Sequence, residues 1–591
     1  MAKKTYRLGL TMAGAVSAGA YTAGVVDYLI ETLQKWEDAK RTGEENIPND
    51  YEVIIEVVSG ASAGGITAAL LPFALTKKHR PVNHENREGK DNLLYDCWVN
   101  MVERRDASMI KQLFSTNDLP AENPQATEVK SILNSLPIDA IANKALKKTF
   151  SIQERPAYIS KDLDLVLTVT NLKGLDFNIE YKSYQNSSPS TITMHSGHFR
   201  YRLGKGESDR YFNLDLTRDS HKEELIAAAK CTSAFPLGLR ARKKNIQRKY
   251  IEKYAADLFP GHKNNVSLSE EVTGRESYDF IAVDGGMINN EPLGLANRLL
   301  YEKTNRIERK EQKDYSLIMI DPFPTHVSDD ILNIGTGLLK VFPHLIRTFR
   351  NQVMFKQDDL FEALSDENSD RFLIEPTRKV GGKVVKNPIA CGALGGFSGF
   401  FSRDFRQHDF ELGRRNAQSF IRYYFAKRED ENHYIHQGWT KEMKDRFRFY
   451  RADKDGNRVA FLPIIPDPDV IVADRKPENN NESIYKVPYE KPMDFPHIHI
   501  GQLLALKSLI RHRLTGVFQQ IIVDFNRGAK DEYNPEDDSF FMKYKFARRT
   551  NKRLMFWVKK QVARYLGKRF SKEIIKVIRD DFRSYELLKE D

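Results

Sequence analysis

The first half of the chain alternates short apolar runs with segments of helical period. The helical segments include residues 20–35 and 66–76. The apolar runs have the length of strands and lie at residues 5–12, 51–58, 164–172, 279–283 and 315–321. Apolar strands that are separated by helices favour a parallel sheet covered on both faces. We therefore predict an α/β fold with three layers and a mainly parallel central sheet.

The second half has a different pattern, with fewer strand-like runs and more amphipathic helix. Residues 331–365 are amphipathic at helical spacing, and residues 463–496 are rich in proline and contain the polar run ENNNES. We predict that the chain divides into a catalytic domain, a helical extension, a proline-rich linker or long loop, and a basic helical tail, at residues 1–330, 331–462, 463–496 and 497–591.

Composition is that of a globular protein, and its charge is unevenly distributed. The 591 residues are 40% hydrophobic and 29% charged, with a net charge of +11. Between Lys543 and Arg579 there are fourteen Lys or Arg residues and one acid, so this segment carries +13. Three cysteines without short-range pairing favour a reducing compartment. We therefore expect a cytoplasmic protein, and the basic segment 543–579 would suit contact with the inner face of the membrane.

The N-terminal segment MAKKTYRLGLTMAGAVSAGAYTAGVV allows two interpretations. Basic residues followed by small and apolar ones follow the general plan of a signal peptide. However, the apolar core is Gly and Ala rather than Leu, and it continues directly into a helical pattern. We favour a folded strand, loop and helix over a cleaved leader.

A serine stands between two glycines where a strand is expected to become a helix. In VVSGASAGG (57–65), Gly60 and Gly64 flank Ser62 at the spacing G-x-S-x-G. Glycines permit a bend that exposes the serine hydroxyl, and the following helix points its N-terminus at the site. The alternative is a structural turn of small residues. The strand before the motif and the helix after it favour a nucleophile.

An aspartate follows another apolar run and precedes a tight turn. In DFIAVDGGMINN (279–290), Asp284 is followed by Gly285 and Gly286. This pattern places a carboxylate at the C-terminal end of a strand, where α/β sheets build their sites. A turn aspartate that caps local N–H groups fits equally well.

The histidines His433 and His436 are one helical turn apart, but the sequence shows no third metal ligand for them. We therefore expect no metal there.

A third loop of small residues follows the first predicted strand. Gly14, Ala15 and Val16 begin the run GAVSAG, whose backbone N–H groups could surround an anion. No Lys-Ser/Thr pair follows, so a Walker A loop is excluded, and the G-x-G start of a dinucleotide fingerprint is missing.

Together these motifs resemble those of the patatin-like phospholipases. AGAVSAG (13–19), GASAG (60–64), CTSAFPLGL (231–239) and DGG (284–286) occur in that family's order and cover roughly residues 5–325. The family's usual loop contains a basic residue that this chain lacks, so the chain is more similar to a bacterial branch with a G-V-S-type loop. The run RDFRQHDFELGRRNAQSF (403–420) also resembles that branch.

The resemblance implies a patatin-like fold and a serine lipid acyl hydrolase with a Ser-Asp dyad. Ser62 would attack an acyl ester of a glycerophospholipid and Asp284 would take its proton. N–H groups near Gly14, Ala15 and Val16 would form the oxyanion hole, and no cofactor or metal is expected. The alternatives are a serine esterase or thioesterase acting on smaller acyl substrates, and a catalytically inactive membrane-binding scaffold.

The expected partner is a phospholipid membrane surface or lipid substrate. Residues 543–579 interleave cations with aromatic residues, which suits contact with anionic lipid, although a helix with a solvated basic face is an alternative. Nucleic acid is not expected, and the sequence does not predict an oligomeric state. Residues 392–401 (GALGGFSGFF) are either core or an interfacial lid. For residues 403–415 we expect internal ion pairs that hold the C-terminal part against the sheet.

Overall fold

The computed structural model describes most of the chain, and all structural statements below concern these residues. They are residues 4–75, 79–101, 108–123, 126–147, 155–179, 190–206, 211–252, 266–304, 315–323, 371–453, 455–470, 494–531 and 552–590. The helix predicted at 331–365, most of the linker predicted at 463–496, and the first part of 543–579 lie outside the described residues.

A mixed sheet forms the centre of the molecule, and ten strands belong to it within the described ranges. They are β1 (Lys4–Met12), β2 (Tyr51–Gly60), β3 (Ile159–Ile179), β4 (Ser190–Leu203), β5 (Phe212–Leu214), β6 (Arg242–Gln247), β7 (Val266–Leu268), β8 (Ser277–Asp284), β9 (Tyr315–Ile320) and β10 (Arg371–Ile374). The order along the main path is β10-β9-β1-β2-β3-β4-β5, while β7 and β8 pair with β3, and β6 pairs with β8.

The central strands are parallel and the strands on one side are not. Five adjacent strands run parallel to one another, in the order β10, β9, β1, β2 and β3. By contrast, β4, β7 and β8 are antiparallel to β3. In β1, every residue of the stretch 8–12 is buried, as expected for a parallel strand covered on both faces. The N-terminal segment is therefore an internal strand of the sheet.

Helices flank the sheet, which confirms the predicted α/β fold with mostly parallel central strands. Those nearest the site or on the sheet faces are α1 (Gly19–Thr42), α2 (Ser62–Ala74), α3 (Leu93–Tyr95), α4 (Met109–Leu113), α5 (Leu136–Lys147), α6 (Asp219–Thr232), α7 (Arg248–Ile251), α8 (Glu270–Thr273), α9 (Leu293–Thr304) and α10 (Arg403–Tyr423). A π-helical turn, Asp96–Asn100, continues α3. α1 packs along α10, and α2 packs against α6.

The C-terminal part adds small sheets and a helical hairpin. Its remaining elements are β11 (Lys379–Val380), β12 (Lys383–Val384), β13 (Ala426–Arg428), α11 (Lys441–Phe447), β14 (Phe449–Ala452), β15 (Arg458–Pro463), β16 (Ile498–His499), α12 (Ile500–Asp531), α13 (Lys552–Ser584) and β17 (Leu588–Lys589). α12 packs against α13. In the described part of the chain, no helix has both the length and the apolar character needed to cross a bilayer.

Strand β10 belongs to the main sheet although it lies beyond residue 330. The sheet thus draws an edge strand from the range predicted as the helical extension. The domain boundaries at 330, 462 and 496 stay predictions.

Candidate active site

The turn between β2 and α2 holds Ser62 in a strained backbone conformation. Its φ is +50°, a left-handed conformation that is uncommon for a residue with a side chain. The flanking glycines are needed for close backbone approach. A Cβ on Gly60 would lie 2.5 Å from the carbonyl carbon of Gly64, and a Cβ on Gly64 would lie 2.1 Å from the backbone oxygen of Met12. The predicted elbow is thus a tight strand-to-helix bend.

Ser62 and Asp284 are in direct contact. The Ser62 hydroxyl donates to Asp284 Oδ2 at 2.6 Å, and the two residues are only 8% and 4% exposed. The other carboxylate oxygen, Oδ1, accepts the Gly286 N–H at 2.7 Å. A Cβ on Gly285 would lie 2.2 Å from Thr168 Oγ1, so the turn after the aspartate also requires glycine.

The long strand β3 explains how residues 222 positions apart come together. Gly60, at the end of β2, is paired with Leu167 of β3. Asp284, at the end of β8, is paired with Val169, only two residues further along β3. Two residues of a strand span roughly 7 Å. The register of β3 therefore sets the distance between the hydroxyl and the carboxylate.

The small-residue loop after β1 lies against the same serine. A Cβ on Gly14 would lie 2.9 Å from Ser62 Cβ and 2.3 Å from Asn290 Oδ1, so glycine allows this contact. Val16 has φ +49° and begins the 3-10 turn Val16–Ala18. The first N–H groups of such a turn have no acceptor within it. The structure thus brings the predicted loop beside Ser62.

An apolar cavity that is continuous with solvent opens beside Ser62 and Asp284. Its lining includes Ser62 and Asp284, and most other lining residues are apolar. The apolar lining residues are Val16, Ala63, Ile66, Ala69, Leu70, Trp98, Met101, Leu113, Leu133, Ile138, Ile141, Ala142, Ile226, Ala229, Phe235, Leu239, Phe397 and Phe400.

The C-terminal end of α6 contacts both members of the pair. Thr232 Oγ1 accepts the backbone N–H of Ser62 at 3.0 Å. The carbonyl of Ala234 accepts the backbone N–H of Asp284, also at 3.0 Å. Thr232 lies in the run CTSAFPLGL (231–239), which carries part of the family resemblance, but the sequence predicts no role for this residue.

The Phe-rich segment 392–401 packs into the protein and forms part of the cavity wall. Phe400 and Phe401 are buried, and Phe397 and Phe400 line the cavity. The hydroxyl of Ser17 contacts the carbonyl of Gly396, which ties this segment to the loop after β1. The core interpretation describes these residues better than an exposed lid does.

The segment 403–420 forms most of α10 and is held to α1 rather than to the sheet. Arg414 forms buried ion pairs with Asp27 and Glu31 of α1. His408 Nδ1 lies 2.8 Å from Asp409 Oδ1. The expected ion pairs therefore join two helices, because the acidic partners of Arg414 come from the first helix of the chain.

The histidine pair 433 and 436 lies away from the cavity lining and has a packing role. Burial lowers the pKa of His436 to about 3, and its Nε2 lies 3.0 Å from the carbonyl of Pro463, to which it donates. Within the described ranges, no group of three potential metal-ligating side chains occurs. The three cysteines are buried and free.

Comparison with known proteins shows the family to which the chain belongs. The sequence profile of the family described as patatin-like phospholipase matches residues 10–297. A protein of Sinorhizobium fredii (strain NBRC 101917 / NGR234), named uncharacterized protein y4iI, is 30% identical over 572 residues, covering 88% of this chain and 76% of that protein. The crystal structure of VipD from Legionella pneumophila has 11% identity, covers 71% of this chain and 67% of its own, and has a TM-score of 0.22.

The class defined by the fold and the profile is that of the lipid acyl hydrolases. More particularly, the chain belongs to the patatin-like phospholipase family.

Proposed function

We propose that the protein is a serine lipid acyl hydrolase of the phospholipase A or lysophospholipase type, with Ser62 as nucleophile and Asp284 as base. The observation that carries this proposal is the 2.6 Å contact of the Ser62 hydroxyl with Asp284 Oδ2 at the wall of an apolar cavity. A base within hydrogen-bond reach is the first geometric requirement for general-base catalysis.

The first half of the reaction forms an acyl-enzyme. Ser62 Oγ attacks the ester carbonyl while its proton passes to Asp284 Oδ2. The Gly286 N–H bonded to Oδ1 keeps the carboxylate aimed at the hydroxyl. As the tetrahedral intermediate collapses, Asp284 returns the proton to the departing glycerol oxygen, and the acyl group remains esterified to Ser62.

The second half hydrolyses that ester. Water enters in place of the alcohol, and Asp284 accepts one of its protons as the hydroxide oxygen attacks the acyl carbonyl. Collapse of this second intermediate breaks the bond to Ser62 Oγ, which regains the proton from Asp284. The products are a free fatty acid and the resting enzyme, and no step requires an oxidant or reductant.

The oxyanion would be bound by backbone N–H groups on two sides. The predicted donors are those of Gly14, Ala15 and Val16, and Gly14 lies against Ser62. The N–H of Ala63 in the first turn of α2 is a further donor, since this turn has no intrahelical acceptor for it and the helix dipole favours negative charge there. Each lost donor would cost roughly 10²–10³ in rate.

The cavity supports a long acyl chain as the group to be cleaved. Burial of each CH₂ group contributes roughly 0.8 kcal/mol, so a lining of this kind favours long chains strongly over short ones. Hydrolysis confined to short soluble esters or thioesters is therefore the weaker alternative. A catalytically inactive scaffold would not explain why the hydroxyl of Ser62 is hydrogen-bonded to the carboxylate of Asp284.

The test is release of fatty acid from phosphatidylcholine vesicles, followed by mass spectrometry of the lipids. Ser62→Ala and Asp284→Asn should each abolish release while the protein stays folded. Asp279→Asn is the matched control, because this exposed residue lies on the same strand as Asp284 and its carboxylate contacts Asn245. Full activity in either dyad variant would rule out the mechanism. Hydrolysis of short soluble esters without any release of fatty acid from the vesicles would favour the alternative, a serine esterase or thioesterase.

The predicted contact of residues 543–579 with anionic lipid, and the cytoplasmic location, also remain proposals. In the described part of that segment, Lys568, Lys572 and Lys576 are exposed on α13, together with Tyr565. Cations beside an exposed aromatic ring suit a bilayer interface.

A further inference from the structure

Two loops that are far apart in sequence are tied together at one edge of the cavity. The backbone N–H of Ile132 donates to the carbonyl of Leu237 at 2.8 Å. The backbone N–H of Arg240 donates to Ser135 Oγ at 3.0 Å. We call this pair of loops, residues 131–139 and 235–242, the cavity rim.

The cavity rim has an apolar inner side and an apolar outer side. Leu133, Ile138, Phe235 and Leu239 face inward and line the cavity. Other apolar side chains of the same loops are exposed to solvent, namely Ile132 at 41%, Leu136 at 38% and Leu237 at 78%. Clustered exposed apolar residues at the mouth of an apolar cavity mark an interaction surface.

Leu237 is held in this exposed position by a strained backbone. Its φ is +63°, in the left-handed region that a leucine rarely adopts. The chain thus keeps a large apolar side chain in water at a position where glycine or asparagine would be conformationally easier. The fold gains nothing visible from this choice, so an external apolar environment is the natural explanation.

Beside these apolar tips lies a cluster of three cations around one carboxylate. Lys230, Arg240 and Arg242 all approach Asp139, with Arg242 Nη2 at 2.8 Å and Lys230 Nζ at 3.7 Å from Oδ1. The buried Nε atoms of Arg240 and Arg242 have no hydrogen-bond partner among the described residues. The cluster therefore has more positive than negative charge, with three cations around the one carboxylate of Asp139.

Lys230 shows the effect of this excess. Burial and the neighbouring Arg242 and Arg240 lower the pKa of its amine, and Asp139 offsets this only in part. Lys230 also lines the cavity, two residues before the Thr232 that contacts Ser62. Lys230 and Ser62 thus line the same cavity, so the cation cluster adjoins it.

We propose that the cavity rim is the surface through which the protein docks on a phospholipid bilayer. In this arrangement Ile132, Leu136 and Leu237 enter the acyl boundary, and Lys230, Arg240 and Arg242 receive a lipid phosphate. Apolar tips beside cations match the layered chemistry of an acyl region under anionic headgroups. The inference rests on the proposed function, since it places the lipid at the entrance of the acyl cavity.

The cavity rim is fixed in place before any contact with lipid. The fully buried guanidinium of Arg513 in α12 donates to the carbonyl of Ile132 at 2.8 Å and to that of Ser131 at 3.1 Å. It also forms an ion pair with Asp118. Docking on such a rim would not require the loop to fold first, so little conformational entropy would be lost.

The test measures binding without hydrolysis. Full-length protein carrying Ser62→Ala is sedimented with phosphatidylcholine vesicles that contain or lack phosphatidylglycerol. Leu237→Asn removes the apolar tip but suits the left-handed backbone, so it should not unfold the protein, and thermal unfolding checks this. Tyr565→Gln is the comparison variant, because Tyr565 is 61% exposed on the basic tail, whose own contact with anionic lipid is a separate proposal. Arg240→Gln tests the cation cluster.

We expect Leu237→Asn to weaken binding to both vesicle types about tenfold, as loss of one buried leucine predicts. Arg240→Gln should weaken binding to the phosphatidylglycerol vesicles about fivefold, and Tyr565→Gln should weaken binding less than Leu237→Asn does. Loss of binding in Tyr565→Gln but not in Leu237→Asn would assign docking to the tail and overturn the proposal, as would binding that none of the variants changes.

A further arm separates lipid phosphate from free phosphate at the cation cluster. Inorganic phosphate is titrated calorimetrically into the Ser62→Ala protein with and without Arg240→Gln. If Arg240→Gln abolishes binding of inorganic phosphate but leaves vesicle binding unchanged, the cluster holds a free anion and its assignment to the headgroup is wrong. All these readouts are independent of catalysis, so they stand even if the dyad proposal fails.

Discussion

The hydroxyl of Thr232 accepts the backbone N–H of Ser62 at 3.0 Å, so α6 is hydrogen-bonded directly to the proposed nucleophile. Ser62 sits at φ +50°, and this bond is one of the contacts that hold the strained residue in place. The bond also occupies the Ser62 N–H, so that group is not free to bind an oxyanion.

Removal of this acceptor should damage both stability and rate. Thr232→Val keeps the shape of the side chain but leaves a buried N–H without a partner, which typically costs about 1–3 kcal/mol. We expect the free energy of unfolding, measured in urea, to fall by this amount, and kcat to fall because the Ser62 turn is less firmly held. Thr232→Ser retains the hydroxyl and should behave nearly as the wild type. Equal stability of the valine and serine variants would contradict this role.

Gly14→Ala should disable the enzyme without unfolding it. The added Cβ would lie 2.3 Å from Asn290 Oδ1 and 2.9 Å from Ser62 Cβ, so the loop must shift away from the nucleophile. If that loop donates to the oxyanion, kcat should fall roughly 10²–10³-fold. Gly501→Ala is the control, since a Cβ there meets no atom within 4 Å. An unchanged kcat in Gly14→Ala would remove the loop from the mechanism.

Filling the cavity should change which acyl chains are cleaved. Ala142 of α5 lines the cavity, and Ala142→Phe would occupy space that a long chain needs. We expect kcat/KM for long-chain phospholipids to fall relative to that for short-chain ones. The added ring would clash with a long acyl chain in the cavity but would leave room for a short one. Ala505→Phe, at an exposed position of α12, should leave the ratio unchanged. A constant ratio in Ala142→Phe would place the acyl chain elsewhere.

The ion pairs between α1 and α10 predict a loss of stability in acid. Burial alone would raise the pKa of Asp27, but Arg414, His79 and Asn92 lower it from 3.8 to about 2. A carboxyl group whose pKa is lower in the folded state stabilises the fold above its unfolded pKa, and this contribution disappears as pH falls to the folded value.

The free energy of unfolding should therefore decrease between pH about 4 and pH about 2, as measured by denaturant titration across that range. Arg414→Met should destabilise the protein by about 3–5 kcal/mol at neutral pH, because two buried carboxylates lose their cation. It should also flatten the acid dependence. An Arg414→Met protein with the same acid profile as the wild type would show that Asp27 does not control it.

The contact between Ser62 and Asp284 could be predicted because its geometry requires particular residues next to each of them. Gly60 and Gly64 are required by backbone contacts, and Gly285 and Gly286 follow Asp284 for the same kind of reason. Each of these requirements is therefore visible in the sequence as a short motif of neighbouring residues. The apolar strands before these motifs supplied the rest of the prediction.

The antiparallel side of the sheet was harder to predict. The run 164–172 was interpreted as a strand, but β3 extends over Ile159–Ile179 and pairs with four other strands. β4 mixes polar and apolar residues and was not predicted. β6 lies in a highly charged stretch, and it is a strand because it pairs with β8.

The cavity wall and the partners of α10 depend on long-range packing. Leu133, Ile138 and Ile141 carry no motif, and only the fold shows that they face Ser62 across an apolar space. Similarly, Arg414 of α10 pairs with Asp27 and Glu31 of α1. These acidic partners lie almost four hundred residues earlier in the chain. Patterns within one segment do not identify such partners.

The most direct test of the account is detection of the acyl-enzyme. Protein mixed rapidly with a chromogenic long-chain ester is quenched in acid, digested, and analysed by peptide mass spectrometry. We predict one added acyl group on the peptide that contains Ser62, and none in Asp284→Asn, whose side chain cannot take the proton. An acyl group on another residue, or undiminished acylation of Ser62 in Asp284→Asn, would contradict the proposed dyad.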